Sequence, residues 1–362
     1  MITHYKHHII SLFKSKFRDA LHQGLKIEYT QLIHECTIEV GMPIDEIHTE
    51  LESWFENIYH QSWLTPFLNT TEYEEIIVHS ENLLQIFGSR ERKFHTIAAL
   101  EAEDYQLSLE IMAFKYQQKW HLNEPFVSFQ ISYNKNNYRA TLVHQSLSSN
   151  HRSKLSLRKH QHQKIELQSF CHDERDFEIV QDLIVQKRNV LIAGSTGCGK
   201  TSLLNSMLRQ IDPNEHVIVL EDTSEIDSLS EQWTYWLAQQ KLGFHLKDYC
   251  SYALRLRPDR IVIGELRSQE IIPFLLSMNT GHKGLMSTIH ANSALESYAR
   301  LKTLFALYSE QSNIQDQLLS ELIVKGLDAI IFMKNKKIAE IIQIYGQDDG
   351  QLIFEKIVDA NQ

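Results

Sequence analysis

The chain has 362 residues, 43% of them hydrophobic and 23% charged, which fits a folded protein with room for two or three domains. A formal net charge of −10 argues against a general nucleic-acid binder and disfavours a nucleic-acid translocase, while leaving room for a local basic channel. No apolar run approaches the ~18 residues that a membrane-crossing helix needs, and the start Met1–His8 lacks the apolar core of a signal peptide. Cys36, Cys171, Cys198 and Cys250 are scattered without a C-x-x-C pair, which favours a reducing, cytoplasmic setting and argues against a structural zinc site.

Residues 1–60 read as a helical segment. Ile10, Phe13, Phe17 and Leu21 share one face, and Ile44, Ile47, Leu51, Trp54 and Ile58 share another, with Gly41 as the break and Pro43 in the first turn of the second helix. Residues 61–150 read as an α+β domain with a mainly antiparallel sheet. Its expected strands are 75–78, 83–87, 127–133 and 138–143, with a helix over 98–116 and a turn at 134–137. Residues 146–150 read as the flexible join to the next domain, and 151–163 as the linker. From Pro125 to Ile165 there is no acidic residue, while Lys135, Arg139, Arg152, Lys154, Arg158, Lys159 and Lys164 all lie there. On an acidic chain this local reversal points to a surface that meets phosphate, or to a solvated basic linker.

Residues 164–362 alternate strand and helix, which implies a parallel sheet covered on both faces. Strands are expected at 190–193, 216–220 and 261–263. Helices are expected at 177–186, from Lys200 to about 210, at 249–256, and from the Ser293–Glu296 capping pattern to about 307. The apolar runs flanking Gly346–Gly350 read as a hairpin.

The organising motif is Gly194-Ser195-Thr196-Gly197-Cys198-Gly199-Lys200-Thr201-Ser202, which follows an apolar strand and opens a helix. This is a P-loop in its required context. Its glycines let backbone N–H groups point at phosphate oxygens, Lys200 reaches the β- and γ-phosphates, and the Thr201 hydroxyl binds Mg²⁺. The motif therefore predicts a bound nucleotide with Mg²⁺. Two further strands end in acid, at Glu221-Asp222-Thr223-Ser224-Glu225 and at Gly264-Glu265. Glu265 is expected to orient or deprotonate the attacking water, or to hold Mg²⁺ through a water. Thr288 and His290, at a third strand end, are placed to sense the γ-phosphate.

The run Leu254–Arg267, with Met278–His282 and Ser287–Ser293, closely resembles the type II/type IV secretion ATPase superfamily, nearest to the motors of tight-adherence (Tad/Cpa) pili. The Asp box, Walker B and His box of that family correspond to 220–226, 261–267 and 280–292. Tyr138-Arg139 and Leu155–Lys159 resemble its nucleotide-facing arginine segments. The resemblance implies an α/β fold: a RecA-like P-loop NTPase C-terminal domain, an α+β N-terminal domain and a short N-terminal helical segment. It implies ATP as the bound nucleotide and a homo-hexameric ATPase, cytoplasmic and peripheral at the inner membrane through its partners. That ATPase would drive pilus assembly or secretion against a membrane platform protein, with no direct nucleic-acid contact. It also implies roles in hydrolysis for Glu265, Lys200, Glu221 and His290, and phosphate contacts for Arg139 and Arg158. The alternatives are a type IV secretion export ATPase and, in another class, a non-hydrolysing nucleotide-binding subunit. Gly264-Glu265 matches the family's Gly-Glu Walker B, where an ordinary Walker B has an Asp before the Glu; the chain departs from the family at Cys198, Ser268, Lys283 and Leu285, and in having no arginine between Arg209 and Arg255.

Overall fold

The computed structural model describes residues 2–25, 28–41, 48–69, 73–88, 91–97, 100–133, 136–159, 164–239, 243–309, 316–348 and 351–360. The expectations at Pro43, Ile44, Ile47, Ala98, Asn134, Lys135 and Gly350 lie outside them. The chain divides into two compact units, Met1–Gln161 and His162–Gln362.

The first unit runs α1 (Ile2–His22), α2 (Tyr29–Val40), α3 (His48–Tyr59), α4 (Thr65–Leu68), β1 (Glu75–Ser80), β2 (Leu83–Phe87), β3 (Arg92–Thr96), α5 (Ala102–Lys115), β4 (Phe126–Tyr133), β5 (Asn136–Val143) and β6 (Lys154–Lys159). Helices α1 to α3 close an aromatic core in which Phe13 and Phe17 meet Trp54 edge-on, at 5.7 and 5.6 Å between centroids. Helix α5 is apolar on two sides. Leu107 and Ile111 enter that aromatic core, whereas Leu109, Met112 and Ala113 enter the core of the sheet. A helix apolar on two sides must be covered on both, so the N-terminal helices and the sheet share it. Asp104 pins the contact by accepting from Lys14 Nζ (2.9 Å) and Trp54 Nε1 (2.8 Å).

The sheet of this unit has the order β3-β2-β1-β6-β5-β4, with every pair antiparallel. Two sequence expectations are corrected here. Residues 154–159 are a central strand between β1 and β5, not linker, and 146–150 joins strands within one sheet rather than two domains. Leu155 and Leu157 are fully buried between partly exposed Ser156 and Arg158. That period-two pattern is short and its outward positions are basic, so composition concealed it.

The second unit runs α6 (Glu174–Val185), β7 (Val190–Gly194), α7 (Lys200–Leu208), β8 (Val217–Glu221), β9 (Thr234–Leu237), α8 (Leu246–Ala253), β10 (Arg260–Ile263), α9 (Ile271–Asn279), β11 (Met286–His290), α10 (Ala294–Tyr308), α11 (Asp316–Gly326), β12 (Ala329–Lys334), β13 (Lys337–Asp348) and β14 (Gln351–Asp359). The sheet order is β14-β13-β12-β7-β11-β10-β8-β9. From β12 to β9 neighbours are parallel, and β13 and β14 extend the sheet as an antiparallel hairpin. Alternate residues feed two cores. Leu191, Ala193, Ile218 and Ile261 face α8 to α11, and Val190, Ile192, Val219 and Val262 face α6 and α7. Burial on both faces explains why β7, β8 and β10 read as unbroken apolar runs. Parallel strands put the ends of β7, β8, β10 and β11 on one edge of the sheet, where ligands of such folds bind.

Candidate functional site

The loop after β7 is shaped by close packing. A Cβ on Gly194 would lie 2.4 Å from Cys198 Sγ and 2.7 Å from the Met333 carbonyl oxygen, so no side chain fits there. Gly199, with φ +100°, caps the N-terminus of α7 in a conformation that favours glycine. Ser195, Thr196 and Gly197 form the exposed tip, and Thr201 and Ser202 start the helix half-buried. Cys198 is buried, and burial raises its thiol pKa, so it packs as a small apolar residue. The exposed tip, the tight glycine turn and the helix start make a cradle into which phosphate fits.

Lys200 is buried, and its Nζ donates to the carbonyls of Gly194 and Ser195 (3.0 Å each). It also lies 3.2 Å from His290 Nδ1. An ammonium has no lone pair to offer, so Nδ1 must accept and Nε2 must carry the ring proton. Nε2 in turn lies 2.9 Å from Glu265 Oε1. Lys200, His290 and Glu265 thus form one line, joining the P-loop to the end of β10. Burial and the neighbouring Lys200 charge both push the His290 pKa down, which keeps the ring neutral in this role. The second Glu265 oxygen is held by Arg267 Nη2.

Glu221 is buried beneath Gly264. A Cβ at position 264 would come within 3.1 Å of Glu221 Cγ. Steric room for this carboxyl therefore explains glycine where an aspartate is usual. Glu221 Oε1 accepts from the N–H groups of Glu225 (2.8 Å) and Ile226 (3.0 Å), shaping the loop after β8. Burial outweighs these two bonds and pushes its pKa up to about 8. The folded chain then holds a proton that the unfolded chain, near 4.5, releases. Stability from this group is full below about 4.5 and is lost as pH rises through about 8. Glu221→Gln mimics the protonated acid, so it should flatten that slope and leave the variant ahead at pH 8.5 by a few kcal/mol, to order of magnitude. Thermal midpoints of both chains at pH 5.5 and 8.5 check this, and parallel profiles would refute it.

Thr288 is not a phosphate sensor in this arrangement. It is buried, and its hydroxyl donates to the Gly264 carbonyl at 2.8 Å, tying β11 to β10. Sequence reading also missed the supports of the site. Glu270, buried, accepts from the Ser268 N–H and hydroxyl (2.6 Å each) and from the Arg267 N–H. The serine that replaces a usual glycine at 268 thus has a partner, and the loop bearing Arg267 is fixed. Leu285, another departure, is a core residue.

In the first unit the antiparallel register sets Arg139 of β5 directly opposite Arg158 of β6, with Glu75 of β1 beyond Arg158 and Gln130 of β4 beyond Arg139. Both arginines alternate with core residues, so they share the outward face. Two cations directly opposite each other repel unless an anion spans them.

A family model for type II/IV secretion system proteins matches residues 127–344, which include both arginines and the whole P-loop site. The conjugal transfer protein TrbB of Rhizobium radiobacter is 33% identical over 186 residues, 48% of this chain and 53% of that protein. The type IV secretion system protein VirB11 of Bartonella henselae is 30% identical over 180 residues, 47% of this chain and 51% of that protein. The chain thus spans about half the length of these curated relatives. Among solved structures, the Legionella pneumophila ATPase DotB matches at TM-score 0.55 and 18% identity, over 83% of this chain and 79% of that one. The pilus retraction motor PilT with bound ADP matches at TM-score 0.57 and 21% identity, over 79% of each chain. At these identities the two structures speak for the fold alone.

Proposed function

The chain belongs to the type II/IV secretion system protein family, and from that premise we propose that it is an ATP hydrolase that powers transfer across a bacterial envelope. The observation that carries this reading is the line from Glu265 through His290 to Lys200. A carboxylate at a strand end lies within ion-pair distance of an imidazole whose other nitrogen faces the P-loop ammonium. Arrival of a phosphate at Lys200 is therefore felt at Glu265 without any residue moving far.

In this reading the loop 194–202 cradles the triphosphate and Thr201 offers its hydroxyl to Mg²⁺, which supplies charge neutralisation on the phosphoryl oxygens. Glu265 holds the attacking water, directly or through the ion's hydration shell, and His290 fixes the orientation of its carboxylate. Glu221 shapes the neighbouring loop. Arg139 and Arg158 meet the charge that develops on the phosphoryl group. A homo-hexamer working against an inner-membrane platform protein completes the proposal. Among the described residues no helix is long and apolar enough to cross a membrane. The relatives above carry names from conjugal transfer and type IV secretion. The proposed machine is accordingly a transfer or export apparatus, and the tight-adherence pilus expected from the sequence is a narrower version that these names do not reach.

Steady-state ATP turnover by the full chain, with and without Mg²⁺, tests this. Wild type should turn over ATP only with Mg²⁺, and Arg158→Ala should lower kcat by ~10²–10³ while KM moves less than about fivefold. Unchanged turnover in Arg158→Ala would remove the arginine assignment, and absence of Mg²⁺-dependent turnover in wild type would remove the hydrolase reading.

A further inference from the structure

We propose that Glu225 is a positioning residue for the nucleotide's Mg²⁺, acting through the hydroxyl of Thr201. The proposal rests on the nucleotide reading above and assigns a residue that the P-loop pattern does not name. A threonine hydroxyl that ligates a cation gives up a lone pair and keeps its proton, and that proton needs an acceptor. In this chain the acceptor is Glu225 Oε2, 3.3 Å from Thr201 Oγ1. An anionic acceptor raises the electron density on the hydroxyl oxygen and fixes its rotamer, so the lone pair is aimed before the ion arrives.

A separate set of contacts holds Glu225 there. Thr201, Asn205 and Arg209 lie four residues apart from Lys200 helix α7 into its C-terminal cap, so they share one face. All three reach the loop after β8. Asn205 Nδ2 donates to the Glu225 carbonyl (3.3 Å), the Asp227 N–H donates to Asn205 Oδ1 (3.0 Å), and Arg209 pairs with Asp227. From below, Glu221 Oε1 accepts from the Glu225 N–H itself at 2.8 Å. The residue is thus fixed at its N–H, its carbonyl and its side chain. Such restraint exceeds what a solvated loop carboxylate needs, and its side-chain arm ends on the hydroxyl expected to ligate the ion. Glu221, by contrast, spends one oxygen on two backbone N–H groups under Gly264. The carboxylate beside Thr201 is that of Glu225.

The test compares binding of a fluorescent ADP to the full chain in saturating Mg²⁺ and in EDTA. The ratio of the two dissociation constants reports how much the ion contributes at the site. Glu225→Gln should bind within about twofold of wild type in EDTA and lose about tenfold of the Mg²⁺ ratio, the size seen when a ligand's supporting partner is removed. Glu225→Asp, which keeps the charge on a shorter arm, should recover part of that loss. A Glu225→Gln chain with the wild-type ratio would overturn the proposal. So would equal weakening in both buffers, since that would mark a purely structural role. Wild type that binds ADP in neither buffer would remove the nucleotide reading itself, and this proposal with it.

Discussion

Lys200→Ala is expected to abolish measurable ATP turnover and to weaken nucleotide binding by ~10²–10³. Charge-assisted hydrogen bonds contribute roughly 1.5–3 kcal/mol each, and the lysine of a P-loop meets two phosphates. The local structure sharpens the expectation. The ammonium is buried and held by Gly194 O, Ser195 O and His290 Nδ1, so its approach is already set before a ligand arrives. Folding should suffer much less than binding. The two loop carbonyls lose a donor, but a buried charge is removed at the same time, and these terms oppose each other. Isothermal titration with ATP and a thermal midpoint on the same sample separate the two effects. A variant that binds ATP as wild type does would refute the P-loop assignment, and one that unfolds outright would contradict the balance just described.

Glu265→Gln is the second large effect, and it should act on kcat rather than on affinity. Removing a general base or water-orienting carboxylate costs ~10²–10⁴ in rate. The amide keeps the shape of the side chain yet mismatches its partners. Glu265 Oε1 lies 2.9 Å from His290 Nε2 at ion-pair distance without hydrogen-bond geometry, and Oε2 accepts from Arg267. A glutamine has one accepting oxygen, so its NH₂ must face a donor on one side. His290 then loses the carboxylate beside its Nε2, while Lys200 still holds Nδ1 as the acceptor. Single-turnover hydrolysis with ATP prebound isolates this step. Wild type no faster than the variant would leave a nucleotide-binding subunit without hydrolysis, the alternative weighed from the sequence.

How much of the site was legible beforehand follows from what each residue depends on. The P-loop was fully legible because it is a local object: eight consecutive residues between an apolar strand and a helix impose their own backbone path. Glu265 was legible from its place after an apolar strand. The line through His290 was not, since it needs β10 and β11 adjacent and β7 on their far side, an order set by crossovers. Thr288 was misread for the same reason. Its side chain faces the Gly264 peptide, a fact of register between two parallel strands. Glu225 reads in the sequence only as part of an acidic run, because its partners lie on a helix face 16–24 residues upstream.

From its residues alone this chain determined the P-loop's strand–loop–helix, the strand ends that carry acid, and the alternation that demands a covered parallel sheet. These depend on short-range periodicity and backbone sterics, which act within a dozen residues. Only the tertiary structure decided that 154–159 is a core strand, that Arg139 stands opposite Arg158, that Gly264 makes room for Glu221, and that one helix face grips Glu225. Each of these depends on which distant segments become neighbours, and that is settled by burying all apolar faces at once rather than by any one segment's preference.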